Sequence, residues 1–141
     1  MEVHLWKKIP VDIFINHIAP YSYHQYDTNF LNDIRNFRLD YRIIINYYYF
    51  DMNEYCLLVD LLWFCNKKLL FEVVSHSFMD ILNRNVTFKS LSLGKKYEYI
   101  QKHFYYNGNL KTMQKNRFIL GLMTSSERTQ FINEYIIAYY E

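Results

Sequence analysis

Apolar positions along the chain recur mostly at helical spacing. The clearest run is residues 28–47. There Phe30, Ile34, Phe37, Tyr41 and Ile44, continuing to Tyr48, follow one another at intervals of four, three, four, three and four. That period keeps them on one face of an α-helix and leaves Arg35, Arg38 and Arg42 largely off the stripe. Asp27 stands before the run as a candidate N-cap. From Tyr55 to Cys65 the chain is apolar nearly all round except at Asp60, the pattern of a central, buried helix. Asp51-Met52-Asn53-Glu54 before it fits a capping box with Asp51 as cap, and Asn66-Lys67-Lys68 ends it with cations suited to a helix C-terminus.

The remaining segments follow the same reasoning. Residues 69–83 place Leu70, Val73, Val74, Phe78, Ile81 and Leu82 on one side of a predicted helix. Residues 85–94 suggest a short helix opened by Thr87 and closed by Gly94. Tyr97, Ile100 and Phe104 predict a helix over 95–106. Asn107-Gly108 beyond it is also a hairpin signal, so a strand pair there is the alternative. Residues 110–123 predict a helix with Met113, Phe118, Leu120 and Leu122 inward. Thr124-Ser125-Ser126-Glu127 fits a capping box ahead of Phe131, Ile132, Tyr135, Ile136 and Tyr139. Strand-like alternation is weak throughout. The expected fold is all-α, a compact bundle of about six to seven helices in a single domain.

At the N-terminus the apolar pattern is punctuated by proline. Pro10 and Pro20 are the only two prolines in the chain, and they bracket one short predicted helix. Proline suits a first helical turn, and Pro20 disfavours helical geometry at Ala19. Between them Ile13, Phe14, His17 and Ile18 share a face.

Composition fits this picture. The 141 residues are 51% hydrophobic and 20% aromatic, ample for a core and against disorder. The net charge is +2, with basic residues scattered and no cluster denser than a doublet, so nucleic acid is not an expected partner. The longest apolar runs fall far short of the ~20 residues of a membrane span. No secretory pattern opens the chain, and the expected location is intracellular: cytosolic, nuclear or packaged. Tyr, Asn, Ile, Phe and Lys abound while Gly, Pro and Ala are scarce, which points to an A/T-rich genome.

Candidate chemistry is sparse. The chain has no phosphate-cradling glycine loop, no nucleophile elbow, no HExxH and no CxxC. His17 and His24 are separated by Pro20 and cannot share a helix face. No metal, no cofactor and no catalytic residue is expected, and the chain does not read as an enzyme. Cys56 and Cys65 fall on opposite faces of one helix and read as free thiols. Asp60, on an apolar helix, needs a partner, and an arginine of the 28–47 helix is the expected one. The tyrosine clusters at 21–26 and 47–49 fit ordinary packing better than base stacking.

Ile9-Pro10-Val11-Asp12-Ile13-Phe14-Ile15-Asn16-His17-Ile18 resembles the opening of an F-box, and the phrase IPxDIFxxHIxPY resembles F-box-like proteins of large A/T-rich DNA viruses. The resemblance covers residues 8–48, with Leu31, Ile34 and Phe37 at its later apolar positions. Residues 40–48 carry no tryptophan where F-boxes commonly have one, and 51–141 is a helical remainder without a familiar substrate module. The resemblance implies a non-enzymatic adaptor that recruits a Skp1-like ubiquitin-ligase component. Ile9, Pro10, Ile13, Phe14, His17 and Ile18 would form the partner-binding face. The alternative is a structural or packaged virion component that self-associates as a homo-oligomer through apolar and tyrosine-rich surfaces. A further reading is a viral Bcl-2-like bundle around 55–65, for which the chain offers no Asn-Trp-Gly-Arg-like segment.

Overall fold

The computed structural model describes residues 11–13, 16, 28–70, 73–105 and 111–140. Among them the secondary structure is helical and no strand occurs, as the periodicity requires. The helices are α1 (Val11–Ile13), α2 (Thr28–Asp51), α3 (Glu54–Cys65), α4 (His76–Leu82), α5 (Val86–Lys89), α6 (Leu93–Ile100), α7 (Thr112–Leu122) and α8 (Ser125–Tyr135). A π-helical turn, Gln101–Tyr105, follows α6, and a 3₁₀ turn, Ile137–Tyr140, follows α8. Backbone contacts group the chain into two units, Met1–Ile34 and Arg35–Glu141, each described here by itself.

The second unit is built around α3, which packs on α7, α4 and α8. Leu57, Leu58, Leu61, Leu62, Phe64 and Cys65 of α3 are all buried, so an apolar helix became a central one. Ile44 and Tyr48 enter this core from α2, with Tyr48 stacked on Phe131 of α8 and Phe131 stacked in turn on Tyr135. Phe104 meets Phe78 of α4 and Phe118 of α7, which seats the π turn between them. Ile119 of α7 is fully buried, a core residue that the expected set of Met113, Phe118, Leu120 and Leu122 omits.

Several boundaries move. The cap of α3 is Asn53 rather than Asp51: its Oδ1 accepts from the backbone N–H groups of Tyr55 and Cys56, both at 3.0 Å, while Asp51 closes α2. The helix expected over 69–83 begins only at His76. Ser75 caps it through Oγ to the N–H of Phe78, and Leu70 and Val73 are exposed. The cause is tertiary. Asn66 is fully buried, its Nδ2 donates to the carbonyl of Val73 at 2.7 Å, and its Oδ1 accepts the N–H of Ser75 at 2.7 Å. Those bonds tie down a non-helical connection that periodicity alone would have wound up. Lys67 and Lys68 make the reversal into it with φ of 55° and 60°, a left-handed geometry costing non-glycine residues about 1 kcal/mol each. Asn85, not Thr87, caps α5, and Gly94 lies inside α6 instead of closing a helix. The capping box of α8 is as expected, with Thr124 and Glu127 bonded reciprocally. Asp27 and the hairpin signal at Asn107-Gly108 lie outside the described residues.

Candidate interaction surface

Of the six residues expected to bind a partner, Ile13 is described, at the end of α1. It is 47% exposed, and Asp12 and Asn16 beside it are exposed too. Ile9, Pro10, Phe14, His17 and Ile18 lie outside the described residues. The same unit contains the first turns of α2, and these repeat the pattern. Phe30 is 53% and Ile34 43% exposed, although both belong to the stripe that Ile44 and Tyr48 bury further along the same helix. Leu31 is exposed as well. The stripe from 30 to 48 is therefore continuous in sequence and divided in use: its second half packs a core, and its first half keeps apolar surface in water. Apolar side chains gathered at such exposure mark contact surfaces more often than scattered single ones do.

The second unit shows polar groups used to hold helices together. Asp60 is half-buried, and its partner is Tyr48, whose hydroxyl donates to Oδ2 at 2.5 Å; the expected arginine is not there. The off-stripe arginines 35, 38 and 42 all face solvent, which is why none of them reaches it. Burial raises the Asp60 carboxyl above its ordinary value while the Tyr48 bond pulls it down, and burial with the Asp60 bond keeps Tyr48 protonated. Arg128, almost fully buried, donates through Nε to Asp40 at 2.9 Å and lies over the Phe37 ring, joining α8 to α2. Arg84 forks onto both oxygens of Glu127 and holds its carboxyl below the ordinary range.

A cleft of about 490 Å³ opens beside Asp60 and Trp63, with Lys68 and Glu134 of opposite charge on its walls. Burial lowers the pKa of the His103 ring, with Lys102 and Lys115 adding to the effect, and the ring packs against Tyr99. Cys65 is buried, its thiol pushed up to about 12 by burial, and Cys56 is half-buried; both are free. No group of three His, Cys, Asp or Glu residues among the described ones stands close enough to hold a metal ion. No helix among the described residues is long and apolar enough to cross a membrane.

No family model, curated protein or solved structure matches this chain. Its surfaces must be read from its own residues. Sequence reasoning treated Asn66 as part of a helix stop and missed its role as the bonded centre of the 66–75 connection. A signal was present: an amide directly after an apolar helix and shortly before Ser75, a capping residue.

Proposed function

We propose that the chain is a non-enzymatic protein-interaction adaptor, acting inside a host cell through an F-box-like N-terminal element that recruits a Skp1-like component. The single observation that carries this reading is the exposure of Ile13, Phe30, Leu31 and Ile34, the apolar residues of the first unit whose burial is described. A helix that follows a proline in the chain and exposes Ile13 suits insertion into a hydrophobic groove. The test is co-elution of the purified full chain with a purified Skp1-like adaptor at micromolar concentrations. A stable complex is expected. Pro10→Ala combined with Ile13→Asp should abolish it while circular dichroism and Tm stay unchanged. Absence of a complex with the wild-type chain, or unfolding by the double change, overturns the reading.

A second reading is self-association, as in a packaged virion component. It is favoured by the corner where α2 ends, where Tyr49, Phe50 and Tyr55 are exposed and Phe50 reaches 90%. Light scattering tests it: a dimer or larger species that Phe50→Ser dissociates supports it, and a monomer at high concentration rules it out.

A further inference from the structure

The outward arc of α2 between residues 35 and 50 has an unusual charge pattern. Arg35, Arg38 and Arg42 stand at i, i+3 and i+7, which places them in one row on the helix surface. All three are exposed. None makes an ion pair or a side-chain hydrogen bond among the described residues, while other arginines of this unit are engaged: Arg84 by Glu127, Arg117 by Tyr41 and Arg128 by Asp40. Within the stretch 35–50 no free carboxylate competes for the row. Asp40 is the one acid between 35 and 50, and it faces the other way, held by Arg128. Beside the row, on the solvent side, run Leu39 and Ile43, 52% and 48% exposed. The result is a basic row about 10 Å long flanked by an aliphatic one, on a rigid helix whose opposite face is anchored by Ile44 and Tyr48.

The geometry points to a second docking surface, on α2, for an acidic amphipathic helix of a partner protein, with carboxylates meeting Arg35, Arg38 and Arg42 and aliphatic side chains covering Leu39 and Ile43. Charge complementarity commits the occupant to an acidic one, because the row is cationic and nothing on the described surface neutralises it. The guanidinium fork favours bidentate carboxylate pairing. The aliphatic flank favours protein over nucleic acid: a phosphate backbone would engage the arginines and leave Leu39 and Ile43 wet. The surface shares no residue with the partner-binding face expected of the F-box-like element, and the inference stands whether or not the adaptor reading holds.

The test uses the full chain and a fluorescent designed helix with Glu at i, i+3 and i+7 and Leu on the neighbouring row. Its controls are the same helix with Lys for Glu, the same helix with Ser for Leu, and a DNA duplex. Expected are saturable binding of the acidic helix that weakens with salt, about tenfold weaker binding to the triple variant Arg35→Gln/Arg38→Gln/Arg42→Gln, and a comparable loss with Leu39→Ser/Ile43→Ser. Since these side chains face solvent, both variants should keep the wild-type Tm, so loss of binding reads as loss of the surface. Binding of the lysine helix equal to that of the acidic one, tighter binding of the duplex, indifference to the Leu-to-Ser change, or no saturable binding of the acidic helix overturns the proposal.

Discussion

The hydroxyl of Tyr48 donates to the carboxylate of Asp60 across 2.5 Å, joining the end of α2 to the middle of α3. Asp60 is the one charged residue between Tyr55 and Cys65, and a tyrosine makes its burial tolerable. Its carboxyl is raised, so the folded protein holds that proton more tightly than the unfolded chain does. The stability from this group is fully present below the ordinary value of 3.8 and is lost as pH rises through the folded value. Asp60→Asn should flatten that slope and cost little at neutral pH, since the amide oxygen still accepts from Tyr48. Tyr48→Phe should cost about 1 kcal/mol at neutral pH and raise the carboxyl further. Urea titrations across pH 3–8 check both.

Glu127 should behave in the opposite sense. The Arg84 fork lowers its carboxyl, so its contribution is present above the ordinary value of 4.5 and disappears as pH falls through the folded value. Glu127→Gln should therefore destabilise at neutral pH and converge on the wild type in acid. Thr124→Ala, which removes the other half of the capping box, should cost about 1 kcal/mol with little dependence on pH. Thermal melts of the two variants at neutral and acid pH separate these outcomes.

Arg128 is expected to be the most sensitive charged position. It lies 2% exposed between Asp40, the Met123 carbonyl and the Phe37 ring. Arg128→Met leaves Asp40 without that partner and should cost about 3–5 kcal/mol, a large share of a small domain's stability. Arg128→Lys should recover only part, because an ammonium cannot bond both acceptors in the plane that stacks on Phe37. A double-mutant cycle with Asp40→Asn isolates the pair.

Asn66→Ala removes the acceptor of the Ser75 N–H and the donor to the Val73 carbonyl in a buried place. A loss of about 2–3 kcal/mol is expected. Native-state hydrogen exchange provides the specific readout: the Ser75 amide should exchange much faster, and amides in the middle of α3 should change only in proportion to global stability.

The helical fold was legible because most of the information is periodic. The 30–48 stripe, the all-round apolar 55–65 segment and the Thr124–Glu127 box each specify a local structure that the tertiary environment accepts. Illegible features depended on groups distant in sequence. Residues 69–75 have helical spacing, yet the described ones, 69, 70 and 73–75, are not helical, because Asn66 offers the backbone groups of Val73 and Ser75 other partners. The partner of Asp60 was sought among arginines by charge, yet the α2 side chain on the correct face is a tyrosine. Helical spacing also could not show that Phe30 and Ile34 stay exposed while Ile44 and Tyr48 are buried, since identical periodicity serves a core and a docking face. At the candidate site, α1 is described over Val11–Ile13 with Ile13 exposed, and the two prolines that bracket the expected helix lie outside the described residues.

The π turn at Gln101–Tyr105 has a consequence for how this chain tolerates change in length. A π turn holds one residue more than the α-helical path between the same flanks. Phe104 within the turn meets Phe78 and Phe118, and Ile100 just before it is fully buried. Gln101 and Lys102, between these two anchors, are exposed. Loss of one exposed residue here would bring the turn toward ordinary α-helical winding, whereas deletion of a residue within regular α7 swings every later side chain of that helix by about 100°. Among the described residues the bulge is a place where one codon can be lost with less disturbance to the core than within a regular helix.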